Sequence, residues 1–178
     1  MSIIENFEQL NSLEEKLGFV KQLNKKSEFE QALYFYQILK KQFELQENHD
    51  KVMDCLCGIC QNIGNLGLVK EIEPYLSTYK VYCEKYGDDL AKLKLNSLIG
   101  YISNSIEDYE TTVDYYEAAL AIALKLEDIP RTIYLLINLQ SVYLDLQQID
   151  QALKCSDQLK QISKEDRNAF STLSYCAY

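Results

Sequence analysis

Along most of this chain, large apolar residues recur three or four positions apart, the spacing that lines up one side of an α-helix. Leu13, Leu17, Val20 and Leu23 make the first such stripe, and Phe29, Leu33, Tyr36, Leu39 and Phe43 the second. Only Lys25 and Lys26 stand between them as charged spacers, so the two helices pack antiparallel as a hairpin. Each stripe is preceded by a serine with a glutamate three residues on, Ser12 with Glu15 and Ser27 with Glu30. That is the pattern of a capping box, in which serine and glutamate each satisfy a free backbone amide.

Asn48-His49-Asp50 predicts the next break, residues 52–63 a third helix, and Asn65-Leu66-Gly67 the turn into a fourth over residues 68–86. Pro74 falls inside that fourth helix, where proline removes a backbone donor and clashes with the preceding turn. The helix therefore either kinks there or restarts near Glu73. Gly87 is expected to stop it in a left-handed conformation, with Asp88 or Asp89 capping a fifth helix that carries Leu90, Leu93, Leu95, Leu98 and Ile102. A sixth helix covers Tyr109–Lys125. Asp128-Ile129-Pro130 opens the seventh, since proline is tolerated in the first turn, and residues 149–162 form the eighth. Ser163 with Asp166 reads as the capping signal of a ninth.

The second helix of each pair opens with a large apolar residue, at Phe29, Leu68, Tyr109 and Ile149, and the separations are 39, 41 and 40 residues. A period of this length marks a helical repeat. One hairpin alone cannot bury its apolar face, so stacking of neighbouring pairs is what makes such a chain fold.

The residues inside the period resemble a tetratricopeptide (TPR) repeat in its longer-helix form. The fourth pair carries Asn138-Leu139-Gln140, Tyr143, Ala152 and Leu159; the third carries Ile99-Gly100, Tyr109, Tyr116, Ala119 and Leu120, with Thr112 in place of the first alanine of the second helix. The first keeps Phe29, Ala32 and Tyr36, and the second is degenerate, with Glu71 at an alanine position. The resemblance implies an all-α, right-handed α-solenoid of about four antiparallel helix pairs in a single repeat domain. The repeats span roughly 12–47, 50–87, 89–127 and 130–163, with 165–178 a capping or truncated helix, and the domain is expected to be part of a longer protein. Long-helix repeats of this kind are similar to those of cytosolic bacterial signalling regulators. They imply a scaffold or sensory region or, alternatively, the regulatory arm of a Rap-like phosphatase or GGDEF-type cyclase in the same longer chain.

A formal charge of -9 surrounds the molecule with a negative field that repels phosphate backbones and anionic lipid, so neither nucleic acid nor a membrane is expected as partner. No apolar run approaches the length of a membrane span, and no Lys or Arg precedes Lys16 as an export signal would require. The expected location is the cytoplasm, and the six cysteines are expected to be reduced, mostly buried thiols. Cys55, Cys57 and Cys60 form the densest cluster, and Cys57 with Cys60 share a helical face. A structural zinc site needs four ligands, however, and no second pair at ligand spacing follows. His49, the only histidine, reads as a solvated loop residue beside Asp50. Acidic pairs such as Glu14-Glu15 and Asp88-Asp89 sit at helix starts, where the backbone dipole favours negative charge. No catalytic residues, metal or cofactor are expected.

In the resembled fold the inner, concave surface is made by the first helix of each pair. The resemblance maps this groove onto Lys21, Asn24, Cys57, Cys60, Lys94, Tyr101, Asn104, Tyr134, Asn138, Ser141 and Asp145. It implies a peptide or protein segment as ligand, with asparagines pairing to its amides and Tyr101 and Tyr134 as apolar walls. Asn138 is the foremost candidate. The alternative is that these are solvated polar residues of the surface. Lys21, Asn24 and Lys94 are too few and too scattered for the carboxylate clamp of chaperone-binding repeats. Self-association through the apolar ends of the solenoid, giving a homodimer, is a further expectation.

Overall fold

The computed structural model describes residues 3–165. Among them every regular element is helical: α1 (Ile3–Glu8), α2 (Leu13–Lys25), α3 (Phe29–Leu45), α4 (His49–Asn65), a 3-10 turn (Val69–Glu71), α5 (Glu73–Tyr86), α6 (Asp89–Ser105), α7 (Tyr109–Lys125), α8 (Ile129–Asp145) and α9 (Ile149–Glu165). The fold class is all-α and solenoid-like, with consecutive helices packed in antiparallel pairs. The described residues fall into two compact units, divided between Gly87 and Asp88.

One local device repeats through both units. Helices α3, α4, α6, α7, α8 and α9 are each 17 residues long and joined, α5 aside, by three-residue turns, so the structural module is a single helix plus its turn. In each such turn the middle residue has positive φ: Ser27, Glu47, Gly67, Glu107, Glu127 and Gln147, spaced every 20 residues except at position 87. This left-handed residue lets the next amide reach back to the fifth carbonyl before it, as in Asn48 N to Phe43 O at 3.0 Å, Asp108 N to Ser103 O at 3.0 Å and Asp128 N to Ala123 O at 3.0 Å. The same three residues then cap the following helix. Asn48, Asp108 and Asp128 accept through a side-chain oxygen from the amides of Lys51, Thr111 and Arg131. One residue thus closes one helix and opens the next.

The Ser12–Glu15 capping box forms as predicted: Glu15 N donates to Ser12 Oγ at 3.1 Å, and the Glu15 carboxylate accepts from the Ser12 backbone. The second box does not form. Ser27 has been drawn into the left-handed position (φ 60°), and Glu28 takes the cap position without a side-chain hydrogen bond. Pro74 is resolved by restart: a 3-10 turn ends at Glu71 and α5 begins at Glu73, placing the proline in its first turn. Gly87 is not left-handed but extended, at φ -79° and ψ 134°. Ser163 does not open a helix; it lies inside α9 and donates to the Lys160 carbonyl. Asp166, Cys176 and the proposed helix at 165–178 fall outside the described residues, apart from Glu165 at the end of α9.

The core of the first unit is filled by Leu17, Val20 and Leu23 of α2 and Tyr36, Leu39 and Phe43 of α3, all from the predicted stripes, together with Val52, Leu56, Ile59 and Ile63 of α4 and Leu76, Tyr79 and Cys83 of α5. It also takes in α1, which was not predicted. Phe7 of α1 stacks on Phe35 with ring centroids 4.2 Å apart, and Phe19 completes the trio. In the second unit Leu93, Tyr116, Ala119, Ala123, Leu135, Leu136, Leu139, Tyr143 and Ala152 form one buried cluster.

Candidate functional site

Two glycines set the geometry of the predicted binding positions. A Cβ on Gly58 of α4 would stand 2.5 Å from the ring of Tyr36, and one on Gly100 of α6 would stand 2.5 Å from the ring of Tyr116. In each unit, therefore, the ring of a tyrosine packs against the bare backbone of an adjacent helix, with its hydroxyl carried towards predicted groove residues.

In the first unit the Tyr36 hydroxyl accepts from Nδ2 of Asn24 at 3.5 Å, and Asn24 is 7% exposed. Asn24 was expected to face a ligand. It lies three residues beyond Lys21 and four beyond Val20, on the buried side of α2, and its amide is turned inward. Lys21 remains exposed and lies 3.6 Å from Asp54 of α4, which also approaches Lys51 at 3.8 Å. Cys57 is half-buried beside this group and Cys60 is buried. Burial, with lesser contributions from Cys57, Cys55 and Asp54, pushes the Tyr36 phenol well above its usual range. Burial likewise pushes the Cys55 and Cys60 thiols up to about 12, which keeps both protonated and poor as ligands or nucleophiles. Of the described cysteines, Cys55, Cys60, Cys83 and Cys155 are buried thiols, and none is in a disulfide.

In the second unit Tyr101, Tyr116, Tyr134 and Asn138 come together from α6, α7 and α8. Burial raises the Tyr116 phenol, and Tyr134 adds to the effect by electrostatics and a hydrogen bond. Burial also raises Tyr134, partly offset by hydrogen bonds from Tyr116 and Asn138. Asn138 donates from Nδ2 to the Tyr134 carbonyl at 2.7 Å, one turn back along α8, which fixes the carboxamide in place. Lys94, Tyr101, Asn104, Tyr134 and Asn138 are half-buried, while Ser141 and Asp145 are exposed. Asp145 stands near Tyr109 and raises its phenol after burial has done so. The predicted residues thus divide between the units, Lys21, Asn24, Cys57 and Cys60 in the first and Lys94, Tyr101, Asn104, Tyr134, Asn138, Ser141 and Asp145 in the second.

Sequence reasoning missed the partner of His49. Instead of a solvated loop residue, it is the first residue of α4, and its ring stacks on Tyr86 at 3.6 Å with Tyr82 at 5.9 Å. No local pattern links positions so far apart in the chain. Among the described residues no group of three or more His, Cys, Asp or Glu side chains gathers as a metal ion would require. No described helix is long and apolar enough to cross a membrane.

No protein-family model matches the chain, and no curated protein matches its sequence. Among solved structures it is similar to BtubC (BKLC) from P. vanneervenii, with a TM-score of 0.72 at 19% sequence identity over 88% of this chain. The match spans 66% of the BtubC chain. At that identity the likeness is one of fold.

Proposed function

We propose that the chain is a non-enzymatic, TPR-like repeat module that holds a peptide or protein segment, serving as the scaffold or sensory region of a cytoplasmic regulator. The observation that carries this reading is the second unit's cluster of Tyr101, Tyr134 and Asn138, drawn from the alternate helices α6 and α8. Half-buried phenols offer apolar walls with polar tips. With its Nδ2 held by the Tyr134 carbonyl, Asn138 keeps its Oδ1 in a fixed direction for a backbone amide, a contact that needs no particular ligand sequence. Lys94, Asn104 and Ser141 extend the same face. In the first unit, taken by itself, Lys21 is exposed and Asn24 is excluded as a ligand contact because it is buried.

The test is to select peptides from a displayed library against the full chain and measure the affinity of an enriched peptide by calorimetry. Asn138→Ala and Tyr134→Ala are each expected to weaken it by about tenfold or more. Enrichment of no peptide, or unchanged affinity in both variants, refutes the assignment.

A further inference from the structure

The second unit carries another surface at one of its ends, sharing only Asp145 with the positions mapped to the groove. The turns α6–α7 and α8–α9 lie at the same end of the unit, since each joins a neighbouring antiparallel pair, and Asp145 of one acts on Tyr109 of the other. At this end four aliphatic side chains face outward: Ile106 at 55% exposure, Leu144 at 49%, Ile149 at 53% and Leu153 at 56%. Helix α9 is otherwise amphipathic, so Ile149 and Leu153 are a second apolar strip beside its buried Ala152 and Cys155.

The charge around these four is predominantly negative, with exposed Lys154 beside Leu153 as the exception. Glu107, Glu110, Asp145 and Asp150 are exposed, and none lies within ion-pair distance of a cation among the described residues. No Lys or Arg occurs between Lys94 and Lys125, or between Arg131 and Lys154. The opposite end of the unit differs: there Asp89 is paired with Lys125 and Asp128 with Arg131. Exposed aliphatics bordered by carboxylates that have no ion-pair partner among the described residues match a partner that brings aliphatics bordered by cations. Two copies of this surface would instead set carboxylate against carboxylate, and phosphate surfaces would be repelled.

We propose that the end of the second unit formed by Ile106, Leu144, Ile149 and Leu153 docks a basic amphipathic segment of a partner protein. Its leucine-like residues cover the four aliphatics while its lysines or arginines meet Glu107, Glu110, Asp145 and Asp150.

The probe is a fluorescein-labelled synthetic peptide with leucines at helical spacing and lysines between them, titrated with the full chain and read by anisotropy. A second peptide keeps the leucines and has glutamate for lysine. The lysine peptide is expected to bind at least about tenfold more tightly, with the advantage shrinking as salt is raised. The double variant Ile149→Ser, Leu153→Ser and the triple variant Glu107→Lys, Asp145→Lys, Asp150→Lys are each expected to weaken binding by about tenfold or more. A triple variant of equal charge elsewhere, Glu14→Lys, Glu30→Lys, Glu71→Lys, is expected to leave it within about twofold. Asn138→Ala is expected to leave it unchanged, which separates this surface from the groove. Equal losses in the two charge variants would reduce the effect to the general negative field and overturn the assignment. So would absence of binding, or equal binding of the glutamate peptide. Concentration-dependent dimerisation that Leu153→Ser abolishes would give the surface to a second copy. Binding that appears only in a chain ending at Glu165 would give it to residues 166–178. Either result overturns the proposal.

Discussion

Replacing glycine by alanine inside a helix ordinarily stabilises a protein by about 0.8–1.0 kcal/mol, because alanine loses less backbone freedom on folding. The structure makes that substitution favourable at one position of this chain and unfavourable at another. A Cβ on Gly18 of α2 meets nothing within 4 Å, so Gly18→Ala should gain most of the intrinsic amount. A Cβ on Gly100 of α6 would lie 2.5 Å from Cδ1, 2.6 Å from Cε1 and 3.1 Å from Cγ of Tyr116. These atoms begin at the root of the ring, so the tyrosine cannot escape by swinging its far end. It is also 1% exposed and held by its hydrogen bond to Tyr134. Overpacking of a well-filled core costs about 1–3 kcal/mol, and the upper half of that range applies to a ring so confined. After the helix gain is subtracted, Gly100→Ala should destabilise by about 1–2 kcal/mol.

Urea denaturation followed by helical circular dichroism, with the slope checked for constancy, measures both variants on one scale. Gly18→Ala is expected to move the midpoint up and Gly100→Ala to move it down. The cost at Gly100 should shrink when Tyr116 is replaced by leucine, which is smaller and more mobile, so the double-mutant cycle reports a coupling between the two positions. If Gly100→Ala stabilised the chain as Gly18→Ala does, or if its cost were the same beside leucine, the close approach of α6 and α7 would be wrong. The core of the second unit would then need to be redrawn.

Two further expectations concern the turns and the buried acids. Glu47, Glu107 and Glu127 hold φ between 53° and 61°, a conformation that costs a side-chain-bearing residue about 1–2 kcal/mol. Part of that is returned by glycine's larger loss of freedom, so each single Glu→Gly change should stabilise by about 0.5–1 kcal/mol in the same urea assay. A loss of stability at all three would refute the left-handed turns. The Cys55 and Cys60 thiols are raised from an ordinary 9.0 to about 12, and the Tyr36 and Tyr116 phenols are raised from 10.0, all four by burial. A raised acid favours the neutral folded form, so its contribution is complete below the unfolded value and is lost as pH climbs towards the folded one. Stability should be level up to about pH 9 and then fall, by at most about 1.4 kcal/mol per pH unit for each group. Midpoints unchanged from about pH 8 to about pH 11 would contradict the burial of these groups.

Much of the fold was legible because the apolar stripes are long and regular. Phe29 to Phe43 spans four helical turns with no competing period, and the same holds for α6 to α9. The turns were legible in place but not in mechanism. Five of the six left-handed residues are Ser, Glu or Gln, which carry no sequence mark of positive φ. Ser27 shows what decides such a case. Its pairing with Glu30 suits a capping box, but closing α2 through the Glu28 amide to the Leu23 carbonyl requires Ser27 in the left-handed position, and backbone closure wins. Helix α1 is only six residues long, too short for any period, and it is held by the Phe7–Phe35 stack rather than by its own pattern. At the binding face, the burial of Asn24 had a sequence signal. Leu17, Val20 and Asn24 share one helical stripe, and spacing deserved more weight than polarity. The stack of His49 on Tyr86 joins residues from α4 and the end of α5 and left no trace in either segment.

The exception in the turn series explains itself through Pro74. A 17-residue helix after Gly67 would run from position 69 to 85, but proline cannot sit beyond its first turn, so the chain spends Val69–Glu71 in a 3-10 turn and α5 starts late. The late helix then runs to Tyr86, past the end its neighbours would set. Only Gly87 and Asp88 remain before α6, where every other turn between 17-residue helices has three residues. With one residue missing there is no room for a left-handed residue between the last helical residue and the next cap. The chain closes instead by Gly87 N to Cys83 O at 2.9 Å and leaves in an extended conformation. Glycine is needed here for space and not for φ: a Cβ would stand 2.5 Å from the Cys83 carbonyl oxygen. The boundary between the two compact units falls at this residue. A single proline in the first unit therefore accounts for the shortened turn, for the glycine within it, and for the place along the chain where the repeating connection gives out.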